Sequence, residues 1–311
     1  MSVPLLRRRF AVAVKHEATP GTAETLASAD LIPNAFDAEI NPDITVEDRV
    51  GPGAGIGVLT GKPAGHAGTC RFMVELTAEN SPLWASRLLP TMGFGVSAGT
   101  ATLDSRPPGA SGSNTETATV GVYRDGVLKT LRGAMATGTF RFTSGNRVML
   151  EIEYTGIWNN PTNTAIINPT YLTPIRCADG DATIGTFVPR FSELTIAMNN
   201  EVTLREDIND NSGYIAAVIS SRRITGTVNA EATLGGTHGA NIWEPYQDMI
   251  NRVTRALAID VGGYEFTAPA LQVIGPSEGE RNNVEINDVE FLLTQVTAAG
   301  DDELEITVPT A

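Results

Sequence analysis

The sequence predicts a mainly β protein made of two copies of one β-rich unit, each of about 150 residues with a single short helix. Three observations support this fold class. Runs of alternating apolar and polar residues recur along the chain, and short matches repeat in the same order in both halves. The hydrophobic content of 41% in 311 residues is enough to build a core in each unit.

A β-hairpin in residues 138–158 shows the alternation most clearly. Two alternating runs flank a turn at residues 143–146, where Gly and Asn supply positive-φ positions. Side chains of a strand alternate between its two faces. The apolar series of the second strand is Val148, Leu150, Ile152 and Tyr154. Glu151 and Glu153 lie on the opposite face, which meets water, charge or another subunit.

The remainder of the first half is predicted to contain strands, one short helix and two long loops. Strands are predicted at residues 10–15, 36–47 with a break at Pro42, 69–77 and 118–122. Ser81 and Pro82 supply an N-cap and a first-turn proline for a helix over Leu83–Leu89, with Trp84 in its buried stripe. The loops span residues 51–65 and 95–117.

The glycine-rich loop 51–65 does not match a phosphate-binding motif. Ile56 stands where the first Walker glycine belongs, and Pro63 replaces the Ser or Thr that holds magnesium. Long loops tend to be functional or to become ordered on contact. We therefore expect this loop to make a contact with another chain.

The second half begins after a predicted linker at residues 161–186, which is rich in Pro, Asn and Thr without sustained periodicity. Strands are predicted at residues 192–205, 215–219, 224–234, 255–260, 271–274, 284–295 and 303–308, and a helix near 242–253. The predicted units are residues 1–160, with an N-terminal arm, and residues 187–311.

The internal repeat depends on matches that keep their order. Residues 44–46 align with 202–204, and Gly68-Thr69 aligns with Gly226-Thr227 at the same spacing. Residues 151–154 then align with 288–291 at a shorter spacing. The loop 95–117, which has no equal in the second half, accounts for the difference.

The chain lacks the residue patterns that catalysis or metal binding requires. No GxSxG or HExxH occurs, and His16, His66 and His238 are expected to be exposed. The oxygen-rich run 207–213 does not meet the EF-hand positions for calcium. Two distant cysteines, Cys70 and Cys177, indicate neither a zinc site nor a disulfide. We therefore expect no enzyme activity, cofactor or metal.

The charge balance bears on the class of partner. The chain has 22 Lys and Arg against 36 Asp and Glu, giving a formal charge of -14. Such a surface opposes binding to the outside of nucleic acid, which is driven largely by phosphate neutralisation. No apolar run approaches the length of a membrane helix, and the run after the N-terminal arginines is too short for a signal peptide. These patterns predict a soluble protein made inside the cell.

Several segments resemble the major tail tube proteins of long-tailed, non-contractile (siphovirus-type) bacteriophages and related prophages. They are FAVAVKHEATPGTAETLASAD, TCRFMVEL with SPLWASRLLPTMGF, YRDGVLKTLRGAMATGTFRFTSGNRVMLEIEYTG and, more loosely, ISSRRITGTVNAEATL. The resemblance implies that each unit is a small β-sandwich or barrel with one flanking helix. It also implies that hairpin strands of neighbouring subunits join around a lumen, and that rings stack into a tube.

The resemblance implies partners and a location. The family commonly builds rings of six units, so a chain with two units would form a trimeric, pseudo-hexameric ring; the alternative is a hexamer of whole chains. Further expected partners are tape measure, tail terminator and baseplate proteins. DNA would pass through the lumen without specific binding during ejection into the host, and no membrane is involved. The protein would be assembled in the host bacterial cytoplasm and reside in the virion tail.

The resemblance also suggests which residues make the contacts. The N-terminal arm and the long loop correspond in kind to segments that bridge successive rings. The inter-ring candidates are Arg7, Arg8, Arg9, Gly53, Gly55, Ile56, Val58 and Leu59. Carboxylates facing a lumen would repel DNA phosphates. The lumen-lining candidates are Glu151, Glu153, Asp288 and Glu290, although their face could instead meet a neighbouring subunit.

Two other functions remain open at this point. One is a virion surface or baseplate β-sandwich protein that binds a host receptor or glycan, against which the aromatic content of 6% argues. The other is a β-rich hydrolase, which no group of residues supports.

Overall fold

The computed structural model describes residues 6–49, 51–52, 59–79, 82–178, 180–233 and 235–310. Among these residues the protein is mainly β, with 56% strand and two short α-helices. Residues 10–163 form β1 (Phe10–His16), β2 (Ala35–Arg49), β3 (Leu59–Glu75), α1 (Leu83–Leu88), β4 (Phe94–Ser97), β5 (Thr100–Leu103), β6 (Ala118–Arg124), β7 (Val127–Thr143) and β8 (Met149–Asn163).

The elements of the rest of the chain are also mainly strands. They are β9 (Asp181–Ile184), β10 (Phe191–Ala197), β11 (Glu201–Glu206), β12 (Tyr214–Ser221), β13 (Thr225–Glu231), α2 (Pro245–Asn251), β14 (Thr254–Val261), β15 (Tyr264–Arg281), β16 (Val284–Leu293) and β17 (Glu305–Thr307). The two helices lie close to the sequence predictions.

Within the described residues, strands from both halves form one antiparallel sheet of 15 strands, and β11 and β12 form a separate pair. The main path of the large sheet runs β2-β3-β8-β7-β10-β13-β16-β15-β17-β5-β4. Strands β1, β6, β14 and β9 branch from this path. In the described part of the chain the sheet does not close into a barrel. The mainly β class is confirmed at this level.

The predicted hairpin forms as β7 and β8, and its apolar series is fully buried. Its two strands are longer than predicted, because β7 begins at Val127 directly after the Asp125-Gly126 turn. Both turn residues have positive φ, 46° and 97°, which is the geometry of a two-residue hairpin turn. Gly262 and Gly263, at 60° and 87°, form the matching turn between β14 and β15.

Two predictions about irregular segments differ from the structure. Strand β2 continues through Pro42, which pairs in register with Gly68. Proline is tolerated there because β2 is an edge strand and needs no donor on its open side. The predicted loop 95–117 contains most of the β4–β5 hairpin, whose strands of four residues each are too short to show a clear apolar periodicity.

The segment predicted as a linker, residues 161–186, is partly ordered into strands. Its first residues complete β8, and residues 181–184 form β9, which pairs with β14. Pro174, which lies between β8 and β9 in the sequence, makes an isolated bridge to Thr77.

One main hydrophobic core runs through both halves of the chain. Trp84 on α1 is buried, and its indole nitrogen donates to the hydroxyl of Tyr264, 3.2 Å away on β15. Tyr264 in turn donates to the carbonyl of Thr77 at 2.7 Å. These contacts connect residues more than half the chain apart, so the core is shared between the two predicted units.

Candidate assembly surface

Eight consecutive strands of the large sheet form the surface on which the four predicted lumen-lining residues lie. They run β2-β3-β8-β7 from the first half and β10-β13-β16-β15 from the second. Each half thus contributes four neighbouring strands in the same relative order. The remaining strands of the sheet attach to this group at its margins.

The two halves share one strand topology, which extends the internal repeat from sequence to structure. In the first half β7 pairs with β6 and β8, while β3 pairs with β8 and β1 with β6. In the second half β15 pairs with β14 and β16, while β13 pairs with β16 and β9 with β14. Strand β10 holds the place beside β13 that β2 holds beside β3.

The strand register corrects one detail of the repeat. Ile152 and Val289 are equivalent in sequence and pair with Phe72 and Val228 respectively. The equivalent of Gly226 is therefore Cys70, two residues beyond the Gly68 that sequence matching selects. Because side chains alternate with period two, this shift leaves each side chain on its predicted face.

The halves are joined by main-chain pairing between β7 and β10. Residues Glu193–Ala197 pair with Thr139–Thr143, and the amide of Met198 donates to the carbonyl of Gly138 at 2.9 Å. Beneath this join Phe266 of β15 packs edge-on against Phe140 and Phe142, with ring centroids 5.1 Å apart in both pairs. The join therefore combines a β-ladder with a buried aromatic cluster.

Both ends of the eight-strand group leave a strand edge without a strand neighbour among the described residues. Strand β2 pairs with β3 alone. Strand β15 pairs with β14 only as far as Gln272, so residues 273–281 are bonded to β16 on one side and open on the other. An open edge exposes unpaired N–H and C=O groups that can pair with another chain.

The four predicted lumen candidates lie on one non-core face of this sheet. Their alternate neighbours in β8 and β16 are buried, and Glu153, Asp288 and Glu290 are exposed. Glu151 differs, because its side chain is only 15% exposed and pairs with Arg71 and with Arg141, the latter at 3.1 Å. Three of the four carboxylates are thus available to repel an anion, whereas Glu151 is largely neutralised.

Glu193 belongs to the same acidic face, although the sequence reasoning did not select it. Its carboxylate lies 3.8 Å from Arg141 across the join between β10 and β7. Its neighbour in register, Thr143, belongs to the first half of the chain. No local sequence pattern predicts that Glu193 lies on this face, because its location depends on which strand β10 pairs with.

The N-terminal arm lies beside the β2 edge. Arg7 pairs with Glu39 of β2 at 2.6 Å, and Arg9 pairs with Asp125 of the β6–β7 turn at 2.5 Å. Arg8 is exposed. Arg7 and Arg9 therefore pair with acidic residues of their own chain, although all three arginines of the arm remain exposed.

The β2–β3 hairpin carries exposed apolar side chains towards its tip. Ile44, Val46 and Leu59 are 41%, 58% and 47% exposed. The other loop candidates, Gly53, Gly55, Ile56 and Val58, lie outside the described residues. The second-half counterpart, β11–β12, instead packs against β7 and β8, where Asp210 pairs with Arg132 at 2.8 Å.

Groups with possible reactivity or metal affinity are held by structural contacts. Burial raises the pKa of the Cys70 thiol to about 12, so this group is not a nucleophile at neutral pH. Hydrogen bonds from Ser212, with help from Arg132, lower the pKa of Asp210 to about 2. Among the described residues, no cluster of His, Cys, Asp or Glu has the arrangement of a metal site.

The three histidines are half-buried, contrary to the expectation that they are exposed. His16 lies with Nδ1 2.6 Å from Glu116 and Nε2 2.9 Å from the carbonyl of Arg87. It therefore links β1 to the end of α1 and to the segment before β6.

No protein-family model matches the sequence, and no curated protein matches it. In the described part of the chain, no helix has the length and apolar character needed to cross a bilayer.

Proposed function

We propose that the protein is a structural virion component that self-assembles into stacked rings, forming the tail tube through which a non-contractile phage ejects DNA. Two observations support this proposal. The sequence segments resemble major tail tube proteins over nearly the whole chain. The observation that carries the proposal is the eight-strand group, in which two repeated four-strand units are already joined edge to edge and one edge remains open at each end.

A ring follows from repeating the join. When one edge of a subunit fits the opposite edge of the next, the contact is head-to-tail, and it closes into a ring when the rotation allows. Three chains supply six repeated units, which gives a trimer with pseudo-sixfold symmetry. A hexamer of whole chains would contain twelve units and a wider channel.

Within this proposal each predicted unit, residues 1–160 and 187–311, is one tube domain with a sandwich or barrel arrangement and a flanking helix. The β2–β3 hairpin and Arg8 contact the next ring. The tape measure, tail terminator and baseplate proteins meet the tube inside it or at its ends. The tube is assembled in the bacterial cytoplasm, and its mature location is the virion tail.

The acidic sheet face suits a conduit for DNA. Exposed carboxylates at Glu153, Asp288 and Glu290 repel phosphate and give no gain from counterion release. The overall charge of -14 acts in the same direction. DNA therefore slides without binding, and the role of the chain is structural and not catalytic.

Electron microscopy of concentrated purified protein tests the proposal directly. We expect stacked rings or tubes in negative stain, and native mass spectrometry of a single ring should give three times the mass of the 32.9 kDa chain. Monomers at all concentrations that bind a glycan array would contradict the tube and favour the receptor-binding alternative. Rings of six chains would overturn the trimer while preserving the tube.

A further inference from the structure

We propose that the open edge of β2 in one copy pairs antiparallel with Ser277–Arg281 of β15 in a second copy, and that Arg124 and Lys129 of the first copy face Glu278 and Glu280 of the second. This inference rests on the proposed function for the closed ring. The proposed partner strand, the register and the charge pairs are inferred from the pairing of β7 with β10 within one chain.

The internal join gives the register of the intermolecular one. Ile196 of β10 is equivalent to Ile40 of β2, because their partners on the neighbouring strand, Gly226 and Cys70, are equivalent. Thr139–Thr143 of β7 is equivalent to Ser277–Arg281 of β15, because Gly138 and Pro276 pair with the equivalent residues Ile152 and Val289. Repeating the join therefore places Ile40 opposite Glu278.

The open side of β15 is also the correct side. Strand β8 pairs with one edge of β7. On the other edge, β6 pairs with the part of β7 near the Asp125-Gly126 turn, and β10 pairs with the part farther from that turn. Strand β14 pairs with the corresponding edge of β15 up to Gln272 and leaves the rest free. The β2 strand of a second copy would thus continue from β14 as β10 continues from β6.

The β7–β10 join within the chain and the proposed β2–β15 join between two copies have different side chains at equivalent positions. Glu278 and Glu280 occupy the positions of Phe140 and Phe142, and both glutamates are exposed in the single chain. Phe266, the third residue after the Gly262-Gly263 turn, packs between those phenylalanines.

Lys129 is the third residue after the equivalent turn at Asp125-Gly126. It pairs with Val122 as Phe266 pairs with Ile259. The aromatic cluster of the internal join is therefore replaced by a cation facing two carboxylates. A lysine between two carboxylates at an interface favours the correct partner and orientation.

Arg124 adds a second cation beside the same edge. Its Nη2 donates to the carbonyl of Ala38 on β2 at 2.7 Å, and its Nε is buried without a hydrogen-bond acceptor among the described residues. A buried donor without an acceptor is costly. Ala38 is opposite Glu280 in the proposed register, so the carboxylate of the second copy supplies the missing acceptor.

Cysteine cross-linking tests the register. In the internal ladder Met198 and Gly138 form a hydrogen-bonded pair, so Ala197 and Thr139 form a non-hydrogen-bonded pair, whose Cα atoms come close together. The equivalent intermolecular pair is Asn41 and Ser277. Mixing N41C chains with S277C chains, both carrying C177S, should give disulfide-linked dimers upon mild oxidation. Each variant alone, and N41C mixed with E285C, should give none.

Charge reversal tests the complementarity. K129E, and separately the pair E278K and E280K, should each reduce the assembled fraction about tenfold or more, and combining them should restore assembly. R252E, which reverses an exposed cation at the end of α2, is the matched control and should assemble normally. Unchanged assembly in both reversed variants would overturn the charge pairing.

The outcomes separate this inference from the proposed function. Tubes that form without the 41–277 cross-link would overturn the strand pairing and leave the tube intact. Cross-linked closed oligomers that never stack would support the pairing and contradict the tube. Absence of both cross-link and assembly would overturn both proposals.

Discussion

At the scale of single residues, the buried carboxylate of Glu17 holds the end of β1 to the middle of the first half. It accepts hydrogen bonds from the amides of Gly21 and Gly133 at 2.8 and 2.7 Å. It also accepts from the hydroxyls of Thr117 and Thr119 at 2.8 and 2.9 Å. Four donors around one carboxylate replace the water that the group loses on burial.

Replacing Glu17 should therefore destabilise the fold. We expect E17A to lower the free energy of unfolding by about 2–4 kcal/mol, because four buried donors lose their acceptor. E17Q should cost less, since its amide oxygen still accepts. Urea unfolding followed by circular dichroism measures both, with the exposed residue variant E153A as the control. Equal stability of E17A and E153A would contradict this role.

The sequence predicts side-chain positions well where a local pattern determines them. Val148, Ile152 and Tyr154 are buried because strand periodicity alone assigns them to the core face. Glu17 carries no such signal, since its donors come from residues four to 116 positions away. Glu193 and Lys129 were missed for the same reason: their roles depend on neighbours that only the folded register brings together.

At the scale of elements, the β2–β3 hairpin and its counterpart β11–β12 have different environments. The second hairpin lies against β7 and β8, whereas the first is exposed along residues 41–49. Ile44, Val46 and Leu59 are exposed apolar side chains on its described outer part. Exposed apolar surface of this kind is typical of a contact with another chain.

Deleting Gly53–Gly61 should abolish tubes and preserve a folded protomer. The described residues 41–49 and 59–64, in and next to the deleted segment, lie outside the main core, so circular dichroism and the melting temperature should change little. Electron microscopy should show isolated rings or single copies. Normal tubes from this variant would refute the assignment of the loop to inter-ring contact.

The elements that the sequence did not predict are strands of four residues each. Strands β4 and β5 lie in a segment rich in Gly, Ser and Thr, and β9 lies in the predicted linker. Each buries one or two apolar side chains in the main core, such as Phe94, Leu103 and Ile184, but a strand of four residues is too short to show a clear apolar periodicity. The longer β7, β8 and β16 were predicted because each buries one full face.

At the scale of the whole molecule, the two repeated units share a core and a sheet. Phe266 from the second half packs between Phe140 and Phe142 of the first, and Trp84 contacts Tyr264. The sequence predicted the repeat but could not predict this join, which requires β10 to select β7 among several possible partners.

We therefore expect the single chain to unfold in one cooperative transition. Differential scanning calorimetry should show one peak whose calorimetric and van't Hoff enthalpies agree. F266A should move that peak to a lower temperature, with a cost of about 3–5 kcal/mol from the lost aromatic contacts. Two separate peaks, or an F266A variant that shifts only part of the signal, would show that the halves unfold independently.

Pro42 gives the open edge of β2 a further property, which concerns solubility before assembly. Its internal counterpart, Met198, donates a ladder hydrogen bond to Gly138, and the residue equivalent to Gly138 is Pro276. In the proposed register Pro42 is therefore opposite Pro276. Neither proline has an N–H to donate. An unassembled copy therefore has two open edges on which a ladder cannot extend past this point. In the proposed assembly, this arrangement would protect newly made chains against indefinite strand addition before they pair with a partner in the correct register.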